Sequence, residues 1–221
     1  MGASALGGGG ARANFAARLT ALVAGLISCL VAGVSTDQVA ALDTQDQRAK
    51  NTAALRALST AQLEALGSAQ IGALSTAQVA SLTTAQVAGL SSDDLNALDS
   101  AQVRALNTAQ IAALTTAQVS TMDSADVAAL STGQIGALGS SQLGALATAN
   151  IAALDTAQVR ALNTAQIAAL TTAQVSTMDS ADVAALSTGQ VAARGSSQLG
   201  ALATANIAAL ETQQVAALSS R

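Results

Sequence analysis

From Ser35 onward the chain repeats itself every eight residues, and that interval limits its folds more than any other feature. Unit starts run from Ser35 to Glu211, which makes 23 octads, and Ser219-Ser220-Arg221 opens one more. At position 1 stands a small polar residue or Gly, followed by Thr or Ser, Ala, Gln, an aliphatic residue, a variable residue, Ala and Leu. A short fixed period marks an array in which no unit buries its apolar face alone and neighbours must stack. A larger duplication is superimposed. Residues 99–154 and 155–210 are the same seven octads, differing only at Ser100/Thr156, Ile135/Val191, Gly136/Ala192 and Leu138/Arg194. Growth by whole units suits a solenoid and is foreign to an active site.

Each octad reads as the start of a helix. In Leu74-Ser75-Thr76-Ala77-Gln78-Val79, the Ser75 hydroxyl can accept from an unpaired backbone N–H. Gln78, three residues on, can reach back to the N–H of the cap, completing a capping box. Leu74 and Val79 can touch across the cap as a hydrophobic staple. The signal recurs eight residues later, so the helix must stop before it. A continuous helix would turn about 800° per octad and its apolar stripe would drift by about 80°. Caps would then fall in mid-helix and no face would stay buried. A β-solenoid fits a period of two less well, because the final Leu would point away from the other apolar residues and Ala is a poor strand former. The pattern predicts an all-α solenoid of very short capped helices, one to two turns each and roughly 10 Å long. Helices that short need their neighbours. The predicted core is the aliphatic column at position 5 and the Leu column at position 8, with Ala at position 7 permitting close approach. The sequence leaves the number of octads per coil open.

The second position is Thr or Ser in all 23 octads, whereas the first also admits Gly67, Gly139, Ala147, Gly195, Ala203 and Glu211. The expected role of this hydroxyl is to bond a carbonyl at the end of the preceding helix, which otherwise lacks a partner. A minor alternative is a Thr/Ser surface that orders water or ice. Asp93/Asp94, Asp123/Asp126 and Asp179/Asp182 fall on cap and early helical positions, where acids suit the helix dipole. Calcium needs six or more oxygens and no Asp-rich loop supplies them, so no metal site is expected. Arg194 takes the place of a core Leu and is expected to snorkel outward, the alternative being that it marks a local contact site. Arg104 and Arg160, equivalent in the two copies, are expected to face solvent.

Two domains follow: an apolar N-terminal segment, 1–34, and the octapeptide-repeat solenoid, 35–221. Octad 43–50 is degenerate, with Gln47 and Lys50 at apolar positions, and reads as a polar junction. The stretch Leu19–Val34 is 16 residues long, short of the roughly 20 that a membrane span needs. Behind Arg12 and Arg18 it reads as a secretory signal or anchor, or else as a helix packed on the first repeats. Leu26-Ile27-Ser28-Cys29 resembles the lipobox of bacterial lipoproteins, which would make Cys29 a candidate for lipidation and a membrane tether.

Composition narrows the function. The chain has no His, Trp, Tyr or Pro, a single Phe, a single Cys and a formal charge of −4. Scattered single Lys and Arg offer no stripe for nucleic acid. One thiol builds neither a disulfide nor a zinc site. With no His, no nucleophile–base pair and no phosphate loop, the chain reads as no enzyme and needs no cofactor. Leu82-Thr83-Thr84-Ala85-Gln86-Val87 resembles the helix start of TAL-effector repeats, which implies a helix start and no DNA binding, since an octad has no room for their base-reading loop. The whole octad resembles the LSTAQVAAL-type repeat tracts of large bacterial surface or secreted, adhesin-like proteins. That resemblance implies a secreted or surface scaffold or spacer. The alternative is a module that binds a protein or glycan. End-to-end self-association is a further expectation.

Overall fold

The computed structural model describes residues 35–37 and 52–219. Residues 1–34 with Cys29, and octad 43–50, lie outside them. The described residues form 21 α-helices and no strand. Nearly all the helices are five or six residues long, and the last, α21 (Thr212–Ser219), has eight. The all-α solenoid of short capped helices is therefore the fold.

Cα packing divides the chain into two units, Met1–Leu98 and Asp99–Arg221. In the first, α1 (Thr52–Ala57) packs on α4 (Thr76–Ser81), α2 (Thr60–Glu64) on α5 (Thr84–Gly89) and α3 (Ser68–Gly72) on α6 (Ser92–Asn96). The second runs from α7 (Ser100–Ala105) to α21 by the same rule. There α11 (Thr132–Ala137) lies between α8 (Thr108–Ala113) and α14 (Thr156–Ala161). Each helix thus rests on the third one along, so three octads, or 24 residues, complete one coil. Stacked helices are parallel, because start meets start and end meets end. Ser68 at the start of α3 bonds Asp94 in the first turn of α6, and Gly72 at the end of α3 lies against the Ala97 carbonyl at the end of α6.

The backbone explains how a helix stops every eight residues without proline. In α4 the cap Ser75 is extended (φ −73°, ψ 159°), six residues are helical, and Leu82 is extended again (φ −57°, ψ 146°). Two consecutive extended residues, here Leu82 and Thr83, make this corner. No residue, glycine included, has positive φ among the described residues, so the helices end without the left-handed glycine that closes many others. The Leu N–H still bonds the carbonyl three residues back, as Leu82 does to Val79 at 3.2 Å, tightening the last turn.

The core is what the octad predicts. Val79, Val87, Ile111 and Ile135 at position 5 are fully buried, and Leu82, Leu90, Leu114 and Leu138 at position 8 are almost so. A third buried column is polar, the Gln at position 4. Close approach matters most at Gly72, where an added Cβ would sit 2.6 Å from the Ala97 carbonyl oxygen of the next coil. Elsewhere the fit is looser, 3.5 Å at Gly136, and the second copy has Ala192 in that place.

Candidate functional site

The most regular chemical feature is the Gln ladder, and it does more than cap. Gln166 in α15 (Thr164–Ala169) accepts the Asn163 N–H through Oε1 at 2.6 Å, while its own N–H donates to Asn163 Oδ1 at 2.9 Å. That is the expected capping box. Its Nε2 then donates into the neighbouring coil, to the carbonyls of Leu138 at 2.6 Å and of Ile135 and Gly136 at 3.2 Å each. The pattern recurs at Gln86, Gln134, Gln174, Gln190, Gln198 and Gln214, always with a short bond to a position-8 carbonyl. Where the cap is Gly67, Gly139 or Gly195, only the returning Gln bond survives. Gln is favoured over other capping partners because its amide accepts at one end and donates at the other. It satisfies the start of its own helix and the end of another.

This corrects the expectation for the hydroxyl column. The carbonyls at helix ends go to the Gln amide, and the position-2 Thr side chains lie at the surface, as at Thr108, Thr132 and Thr164. Their methyls fill space between coils: a Cβ at Gly89 would lie 3.3 Å from Thr60 Cγ2, and one at Gly189 would lie 3.9 Å from Thr164 Cγ2. Four serines of the column do bond, Ser140 to the Ala165 carbonyl at 3.5 Å and three to side chains. Ser68 donates to Asp94 at 2.9 Å, Ser100 to Asp126 at 2.6 Å and Ser124 to Asn150 at 3.3 Å, each 26 residues on.

Those acceptors stand where the ladder lacks Gln. Asn is one methylene shorter and keeps only the bond to the position-8 carbonyl, Asn150 to Met122 at 2.9 Å and Asn206 to Met178 at 2.7 Å. Asp cannot donate at all when ionised. A serine in the adjacent coil donates to Asp94 and to Asp126, and Ser91 in its own octad also donates to Asp94 at 2.7 Å. Asp182 is different. Thr156 occupies the facing place, and the Ser100–Asp126 bond has no counterpart there. Burial, with Asp179 and Asp155 nearby as like charges, raises the Asp182 pKa to about 6, although its backbone hydrogen bond with Asp179 works against this. Of the acidic pairs, Asp179 caps as expected, accepting the Asp182 N–H at 2.8 Å. Asp123 makes no side-chain cap bond. Among the described residues, no group of three or more acids or cysteines could hold a metal.

Arg194 overturns its expectation. It does not snorkel: 1 % of its surface is exposed, and Nη2 donates to the Met178 thioether at 3.3 Å. Desolvation lowers its pKa to about 10, so it remains a cation at neutral pH. Arg104 and Arg160 are exposed, as expected. Arg160 borders an open groove of about 650 Å³ together with Asn163, Thr164, Ser187 and Glu211. Sequence reasoning missed this groove, which no single octad contains. No described helix is long and apolar enough to cross a membrane.

No individually curated protein matches the chain. One family model, the ALTTAQ repeat, matches it five times, over residues 39–76, 90–123, 119–156, 148–180 and 175–212. Those matches span most of the octads whose caps and Gln ladder are described above, and the chain belongs to the ALTTAQ repeat family.

Proposed function

We propose that the array is a non-catalytic structural scaffold or spacer of a secreted or cell-surface protein, with the N-terminal apolar segment exporting or tethering it. The observation that carries this reading is the duplication set against the coil. Seven octads are two coils of three plus one octad. Every outer residue of the second copy is therefore displaced one corner round the coil from its counterpart in the first. Arg104, Asn107, Thr108 and Ser131 recur as Arg160, Asn163, Thr164 and Ser187 on a different edge. The core is indifferent to that shift because each corner is built alike. A binding face selected to stay in line would not survive it, whereas a rod that must only be long would. The outer residues add little to a binding reading, since the described residues hold no aromatic anchors. The position-2 Thr and Ser occupy three edges instead of one flat face, which also weakens the water-ordering alternative.

The groove at Arg160 and Glu211 is the one observation that favours the alternative, a module that binds a protein or glycan. Shortening the array separates the two. A spacer keeps its helical content per residue and its surface display when one, two or three octads of 155–210 are removed. A binding face keeps its partner only when a whole coil of three is removed. Expressed with residues 1–34, the array should be cut by protease added to intact cells. Full protection from that protease would remove the surface assignment.

A further inference from the structure

We propose that Met178 is an oxidation site, at which a hydroperoxide converts the thioether to a sulfoxide whose oxygen the Arg194 guanidinium then holds. The duplication supplies an internal comparison. Met122 and Met178 end identical octads, TTAQVSTM, and both are buried, at 6 % and 4 % exposure. Their surroundings differ in what stands 16 residues on. Met122 has Leu138 and Met178 has Arg194. Only the second contact brings a cation against sulfur, at 3.3 Å.

In the reaction the sulfur gives up an electron pair to form the S–O bond, the peroxide O–O bond breaks, and the other oxygen leaves as water, or as an alcohol if the peroxide is organic. The product turns a weak acceptor into a strong one within a buried pocket. At Met122 that new oxygen would be enclosed among aliphatic side chains, where an unpaired polar atom is costly. At Met178 it meets a buried guanidinium, and a hydrogen bond to a charged donor is among the stronger kind. Access requires local opening.

The test uses the full chain in dilute hydrogen peroxide, followed by tryptic mapping. Cleavage after Arg104, Arg160 and Arg194 puts Met122 and Met178 on separate peptides. Met178 sulfoxide should accumulate severalfold faster than Met122 sulfoxide, and R194L should bring the two rates together. Equal rates in the parent, or a fast Met178 in R194L, would overturn the proposal. A second measurement separates holding the oxygen from mere loosening of the core. M178Q places an amide oxygen where the sulfoxide oxygen would be. It should leave the melting temperature nearly unchanged beside Arg194 and lower it in the R194L background, as M122Q should in the parent. An equal drop with and without Arg194 would refute the role given to the guanidinium.

Discussion

Replacing Gln166 measures what holds one coil to the next. Its amide makes a 2.6 Å bond to the Leu138 carbonyl, shares its second hydrogen between the Ile135 and Gly136 carbonyls, and accepts the Asn163 N–H. Met in its place keeps the length and removes every polar contact. The exposed cap N–H can turn to water, so its loss costs little. The two donated bonds are worth about 1 kcal/mol each, and the buried Leu138 carbonyl left behind adds about 1–3 kcal/mol. Q166M should therefore destabilise by about 3–5 kcal/mol. Q166N should cost about half as much, because Asn150 and Asn206 show that the shorter amide still reaches the position-8 carbonyl. Q166E should be the worst of the three, since a carboxylate replaces the donor and faces three carbonyl oxygens. Urea melts followed by circular dichroism give the ranking. Because a solenoid's stability is a sum of neighbour terms, hydrogen exchange should localise the loss to α15 and the helix ends it clips. A Q166M variant within about 0.5 kcal/mol of the parent would show that the ladder is ornament and that the aliphatic columns alone hold the coils.

Two further outcomes follow from the same geometry. G72A should destabilise by about 1–3 kcal/mol, as overpacking does, because its Cβ would meet the Ala97 carbonyl. G136A, with room at 3.5 Å, should stabilise by about 0.5–1 kcal/mol by removing a helical glycine. Thermal melts of the pair decide, and like signs would contradict the packing described. For Asp182 the folded protein binds its proton more tightly than the unfolded chain, so stability should rise as pH falls through about 6 and the gain should be complete below about 3.8. D182N should abolish that dependence and T156S should shrink it, by restoring the serine that faces Asp126 in the other copy. Melts at pH 7 and pH 5 read both, and a D182N profile as steep as the parent's would place the effect elsewhere.

Much of this was legible in the sequence because the octad states its local structure twice over. Ser75, Gln78 and the flanking Leu74 and Val79 specify a helix start, and the next copy of the same signal specifies its end. The core columns follow from spacing alone. What did not show were the relations between coils. Nothing within one octad says that three complete a turn, since this depends on the angle set by two extended residues, Leu82 and Thr83 for example. For the same reason the second function of Gln and the burial of Arg194 were out of reach. Gln78 fits a capping box so well that nothing asks where its amide nitrogen points. Arg194 looks like a surface residue until the coil closes around it. The 26-residue spacing from Ser68 to Asp94 and from Ser100 to Asp126 was a readable signal for the coil length, visible only to a search for paired exceptions.

Those exceptions explain why the array tolerates copying in units that do not match its own turn. The Gln clip ends on backbone carbonyls, which every octad presents identically, so any octad can stack on any other three places away. Contacts of that kind carry no register. The serine–carboxylate contacts between coils do, because Ser68 reaches Asp94 and Ser100 reaches Asp126 only from one particular earlier octad. A seven-octad duplication carries such pairs along whole, and the second copy has still lost one of them through Thr156. Asp182, which faces Thr156, is the buried acid whose pKa is raised. A fold whose general contacts use backbone and whose specific contacts are few can be lengthened by any whole number of octads, and it turns its outer residues round the coil each time it does so by other than a multiple of three.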